Sequence, residues 1–161
     1  MKRRVILFVI VFLLGGFLFW WFAPRQILTR KTASLLSTLT MPAGDGKAKR
    51  HLGSYSLNGL LAPQVELETP TIEQANGTFE REELDAAFSW LCEQAKETRF
   101  EITDLQDISI QGDKATVKLR LIGMVELPTY RPADGNYQVT FDWVKGKDGW
   151  RLTRAVWDTP P

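Results

Sequence analysis

His51 is the only histidine in the chain, and an imidazole is the side chain best suited to general-base work near neutral pH. It follows Lys47, Lys49 and Arg50 in a polar stretch, which predicts a solvent-facing ring rather than a buried base. Arg154 and Asp158 share alternation with Trp150, Leu152 and Val156, so a regular strand would turn both inward. An inward arginine needs a carboxylate partner, and an ion pair at the sheet's end is the plain expectation. Asp142 alternates against Phe141 and Trp143, which turns it to solvent. His51, Tyr55, Tyr137, Arg154 and Asp158 are therefore the pocket candidates.

Other chemistries find no footing. One histidine and one cysteine, 41 positions apart, offer no metal-ligand spacing, and no cofactor motif is present. No phosphate-cradling glycine loop or nucleophile elbow occurs. Cys92 has no second cysteine for an intramolecular disulfide and lies on the apolar face of a predicted helix, which predicts a buried thiol.

The elements that must position these residues begin with an apolar run. Val5 to Ala23 carry no charge over 19 positions, directly after Lys2-Arg3-Arg4. That length crosses a bilayer as a helix, and Trp20 and Trp21 sit where an aromatic belt is expected. Its length and the bulky Trp21 before Ala23-Pro24 argue for an uncleaved anchor rather than a signal peptide. The basic residues at 2–4 predict a cytoplasmic N-terminus, so the remaining chain stands outside the cytoplasmic membrane. The expected organisation is a basic tail at 1–4, a single-pass anchor at 5–23 and one domain at 24–161.

That domain holds 17 of the 20 basic residues and all 19 acidic ones, a net charge of −2, which argues against nucleic acid as a partner. Arg25, Arg30, Lys31, Lys47, Lys49 and Arg50 face only Asp45 over their stretch, a pattern suited to a solvated helix surface or to lipid headgroups.

Apolar spacing predicts helices over Gln26–Thr40 and Lys47–Leu61, the second weakened by Gly53, Ser54 and Ser56. Val65–Thr69 alternates as a short strand. Thr78 is placed to cap a helix from Phe79 to Thr98. The period then changes from 3.6 to 2 over Phe100–Ile110, Lys114–Leu127, Tyr137–Lys145 and Trp150–Asp158, with turns at Gln111-Gly112-Asp113 and Lys147-Asp148-Gly149. The fold class is α+β: an N-terminal transmembrane helix, then a curved antiparallel sheet covered by about three helices, cone-shaped.

Element order, the opening Gly77-Thr78-Phe79-Glu80-Arg81-Glu82-Glu83-Leu84, the strand Tyr137-Gln138-Val139-Thr140-Phe141-Asp142-Trp143 and the hairpin Lys147-Asp148-Gly149-Trp150-Arg151-Leu152 carry a resemblance. From Gln26 to Asp158 the chain resembles the nuclear transport factor 2-like superfamily, the cystatin-like α+β cone that includes the SnoaL-like proteins. The resemblance implies a cone, but members range from dehydratases and isomerases to ligand binders and silent assembly modules. Its layout is also similar to anchored scaffolds of type IV secretion systems and Mce-associated membrane proteins. Two functions are expected: a non-catalytic binding or assembly module, or a tethered SnoaL-like enzyme or binder of an apolar small molecule. For the first, Ile122, Met124 and Trp157 would give the sheet's outer face an apolar patch for a homodimer or a protein partner.

Overall fold

The computed structural model describes residues 20–70 and 75–159. The expected anchor at 5–23 lies outside the described residues up to position 19, and among the described residues no helix is long and apolar enough to cross a membrane.

Helix α1 (Pro24–Leu39) starts with proline in its first turn, where the missing N–H costs nothing. Leu28, Thr32, Leu35 and Leu36 form its buried stripe. The chain leaves α1 through Thr40, and Met41 bridges Thr98. The Thr98 hydroxyl, fully buried, donates to the Leu39 carbonyl at 2.6 Å and accepts from the Met41 N–H at 2.9 Å. Helix α2 (Lys47–Asn58) buries only Leu57. Its Gly53 has a packing reason: a Cβ there would lie 3.2 Å from the Phe88 ring.

Strand β1 (Leu61–Glu68) pairs antiparallel with β2 (Gly77–Glu80), and helix α3 (Arg81–Gln94) follows. Here the expected Thr78 cap is corrected. Thr78 pairs with Glu66 inside the β1–β2 ladder, and Glu80 is the N-cap. A capping box with Glu83 closes the turn, the Glu80 N–H donating to Glu83 Oε2 at 2.8 Å. The helix also ends before the expected Thr98, because the Met41 bridge draws Thr98 into a strand.

Four long strands complete the sheet: β3 (Glu97–Gln111), β4 (Lys114–Glu126), β5 (Ala133–Gly146) and β6 (Gly149–Asp158). Gly112 and Gly149 turn the two hairpins with φ of 61° and 95°, which glycine adopts without a Cβ clash. The sheet order is β2-β1-β6-β5-β4-β3. It is mixed rather than wholly antiparallel, since β1 runs parallel to β6.

One residue in β6 decides which side chains face inward. Trp143 pairs with Leu152 but Asp142 pairs with Arg154, so Thr153 is a bulge. Its hydroxyl donates to the Asp142 carbonyl at 3.1 Å. An extra residue resets the alternation. Trp150 and Leu152 point in before it, Ala155 and Trp157 point in after it, and Arg154 joins the outer face. The inward placement expected for Arg154 and Asp158 is thereby overturned, as is the outward placement of Trp157.

Candidate functional site

Two adjoining cavities occupy the interior of the curved sheet. The larger, about 490 Å³, lies between α1, α3 and the middle of the sheet, against Leu35, Phe88, Phe141 and Leu152. The smaller, about 380 Å³, lies toward the end of the sheet where β3 and β5 start, against Phe100, Gly123, Val125, Ala133 and Tyr137. Leu67, Ala75, Leu91 and Trp157 line both, so these four side chains form the partition. Volumes of this size suit a small-molecule ligand.

Trp157 is the hub of an aromatic cluster. Its indole meets Phe100 and Tyr137 edge-on with centroids 5.8 Å apart in each case, and Phe141 at 6.4 Å. The floor beneath Tyr137 depends on glycine. Gly123 on β4 pairs with Gly135 on β5, and the Tyr137 ring lies over the pair. A Cβ at Gly123 would sit 3.2 Å from Tyr137 Cε2, and one at Gly135 would sit 3.4 Å from the phenol oxygen. Glycines inside strands signal such a close approach. That signal was present in the sequence at both positions.

The lining carries little that can move a proton. Among the described residues lining the smaller cavity, only Glu68, Thr69 and Tyr137 bear carboxylate, hydroxyl or phenol groups, and those described around the larger bear none of these. Glu68 is engaged on the rim, accepting from Arg154 Nη2 at 2.5 Å. No general acid and base converge on either space among the described residues, and no group of three side chains there could hold a metal ion.

The candidate residues from the sequence scatter. Tyr137 alone lines a cavity. Tyr55 is 85 % exposed on α2, and His51, one turn earlier, is half-buried on the same helix. Asp158 is exposed at the end of β6. Arg154 sits on the outer face within reach of three carboxylates: Glu68, Glu66 at 3.3 Å and Asp142 at 3.7 Å. The Glu68 hydrogen bond holds its guanidinium charged even more firmly than usual. Asp142 in turn accepts from the Thr116 hydroxyl at 2.7 Å. This is an exposed network, and such pairs stabilise little.

Of the residues expected to form an outer apolar patch, Trp157 faces the cavity instead, while Ile122 and Met124 share the outer face of an unbroken ladder, Ile122 exposed across the register from Glu101 and Asn136. Arg50, grouped in the sequence with the solvated basic residues, does structural work. Its guanidinium donates to the carbonyls of Ala95 (2.5 Å), Lys96 (2.9 Å) and Pro42 (3.3 Å), satisfying the end of α3. Helix α3 has no basic residue in its own last turn, so a cation from α2 answers its negative end. Cys92 is buried as expected at 1 % exposure, and burial pushes its thiol pKa up.

No protein-family model matches the sequence, and no curated protein sequence does. Solved structures match by shape. A nuclear transport factor 2-like superfamily protein from Salmonella enterica serovar Typhimurium superposes with a TM-score of 0.65 at 11 % identity, covering 86 % of this chain and 92 % of that one. A nuclear transport factor 2-like protein from Cytophaga hutchinsonii gives 0.64 at 17 % identity, over 84 % and 98 %. A candidate dehydratase of the same family from Streptomyces avermitilis gives 0.59 at 14 % identity, over 83 % and 94 %. With three helices on a curved six-stranded sheet among the described residues, and these structural neighbours, the chain has the nuclear transport factor 2-like cone fold.

Proposed function

We propose that this chain is a single-pass, membrane-anchored binding module whose cone takes up an apolar small molecule without transforming it, the domain standing outside the cytoplasmic membrane. The observation that carries the reading is the pair of open, adjoining cavities walled by aromatic and aliphatic side chains. Apolar walls with few polar groups favour burial of an apolar body, and the Tyr137 phenol provides one hydrogen-bonding group to orient it. Catalysis by a paired acid and base would need two such groups aimed at one space; among the described residues the lining carboxylate, Glu68, is bound to Arg154, and Tyr137 has no second group converging with it. The anchor rests on the uncharged run at 5–23 and its basic flank.

Titration of the full chain with N-phenyl-1-naphthylamine, a neutral probe that brightens in apolar surroundings, tests the binding reading. We expect saturable brightening at one site, weakened about tenfold, a loss of about 1.4 kcal/mol, when Ala87→Trp or Leu91→Trp fills the cavity. Ile122→Ser, on the outer face and lining neither cavity, should leave the titration unchanged. Equal brightening in the filled variants would place the probe elsewhere and remove the reading.

A further inference from the structure

The two cavities differ in what their walls offer a ligand. Among the described residues, the larger is lined by aliphatic and aromatic side chains alone, with no hydroxyl, amide or charge. The smaller carries the Tyr137 phenol, to which no described residue is hydrogen-bonded. A phenol both donates and accepts, so in an apolar wall it is a site for a polar group of the ligand. The smaller cavity also borders Glu68, whose carboxylate is tied to Arg154. No lysine, arginine or histidine lines either space among the described residues.

The spaces lie end to end. Tyr137 stands at the smaller and Phe141 at the larger, four residues along β5, about 13 Å at strand rise. Leu152, which pairs with Trp143, carries the larger cavity further in the same direction. Trp157 of β6 and Leu67 of β1 bound the throat between them, together with Leu91 of α3 and Ala75. The ring contacts of Trp157 all go to sheet residues, Phe100, Tyr137 and Phe141, which holds the indole on the sheet side of the throat. A single methylene chain is the slenderest apolar body that can join the two spaces, whereas a compact ring system fills one of them. From these placements we infer that the interior takes one unbranched alkyl chain with an uncharged hydroxyl head, the head on Tyr137 and the tail threaded through the throat into the larger cavity. The inference rests on the reading of the interior as an apolar ligand site, and adds the ligand's shape, head group and direction. A carboxylate head is disfavoured, because it would sit beside Glu68 with no cation in the described lining to meet it.

Photolabelling of the full chain in nanodiscs tests the threading, with 1-hexanol and 1-dodecanol that carry a diazirine at the end remote from the hydroxyl. Extended dodecanol spans the separation of Tyr137 and Phe141, and hexanol falls short of it. Peptide mapping should find the dodecanol label on Phe88, Phe141 or Leu152, and the hexanol label on Phe100, Val125 or Trp157. At equal free concentration, unlabelled dodecanol should displace the dodecanol label at least about tenfold better than dodecanoate does. Tyr137→Phe keeps the ring and removes the phenol oxygen, and should weaken that competition about fivefold, the share of one hydrogen bond. Leu67→Trp narrows the throat and should return the dodecanol label to Phe100 and Val125, leaving the hexanol label in place. If that variant does not fold, the two chain lengths on the native protein decide alone. Both labels in one cavity would overturn the threaded chain and spare the apolar site. Equal competition by dodecanoate would overturn the uncharged head. Label on surface residues only would overturn the site together with the inference.

Discussion

Replacing Trp157 with alanine measures whether the Thr153 bulge turns this residue inward. The indole makes three edge-to-face contacts, with Phe100, Tyr137 and Phe141, each worth about 0.5–1.5 kcal/mol beyond area burial. A fully buried tryptophan cut to alanine costs about 3–5 kcal/mol. Trp157 is half-buried against open cavities, so the expected loss is at the low end, about 3 kcal/mol. On the outer face, where simple alternation from Trp150 and Leu152 would put it, the same substitution would move stability by about 0.5 kcal/mol or less. Urea unfolding of the full chain in detergent, followed by far-ultraviolet circular dichroism, separates the two cases without relying on the indole removed. Val156→Ala, one residue back on the outer face, is the internal reference and should cost about 1 kcal/mol or less. A Trp157→Ala loss no larger than this reference would refute the inward placement and the partition between the cavities.

Arg50→Ala should cost about 2 kcal/mol, because carbonyls at the end of α3 lose charged donors, and Arg50→Lys should recover only part of it; urea midpoints at constant slope give the comparison. Gly123→Ala should cost about 1–2 kcal/mol by pressing a methyl into the Tyr137 ring, and should weaken probe binding because the ring must tilt into the cavity. Cys92 in the native chain should react with a disulfide reagent at least about a hundredfold more slowly than in urea, since it is buried and its thiolate is disfavoured. Its folded pKa lies above the ordinary 9.0, so the stability it contributes is fully present below that pH and is lost as pH rises toward the folded value; Cys92→Ala should flatten that part of a pH–stability profile.

Much of this architecture is readable from local pattern. Alternation over Lys114–Leu127 and Tyr137–Lys145, and the glycine turns at 112 and 149, mark strands because one face of each is buried and the turns need positive φ. Leu28, Leu35 and Leu36 mark α1 by the same logic at period 3.6. What escaped depends on single residues or distant partners. Thr153 looks like any strand residue, yet as a bulge it exchanges the faces of everything after it. The segment Gly77–Glu80 reads as a helix start because Thr78 is a good cap; only pairing with β1 makes it a strand. Arg50 finds the Ala95 and Lys96 carbonyls 45 and 46 positions away. The cavity is the hardest to foresee, because apolar residues lining an open space follow the same pattern as residues filling a core.

The most direct test of an interior apolar site is photolabelling of the full chain in nanodiscs with a small diazirine-bearing aromatic probe, followed by peptide mapping of the adducts. Binding in the cone places the label within the domain on Trp157, Tyr137, Leu91 and Phe88, and competition by excess N-phenyl-1-naphthylamine removes it. Label confined to exposed Leu52, Tyr55 and Ile122, unaffected by the competitor, would contradict an interior site.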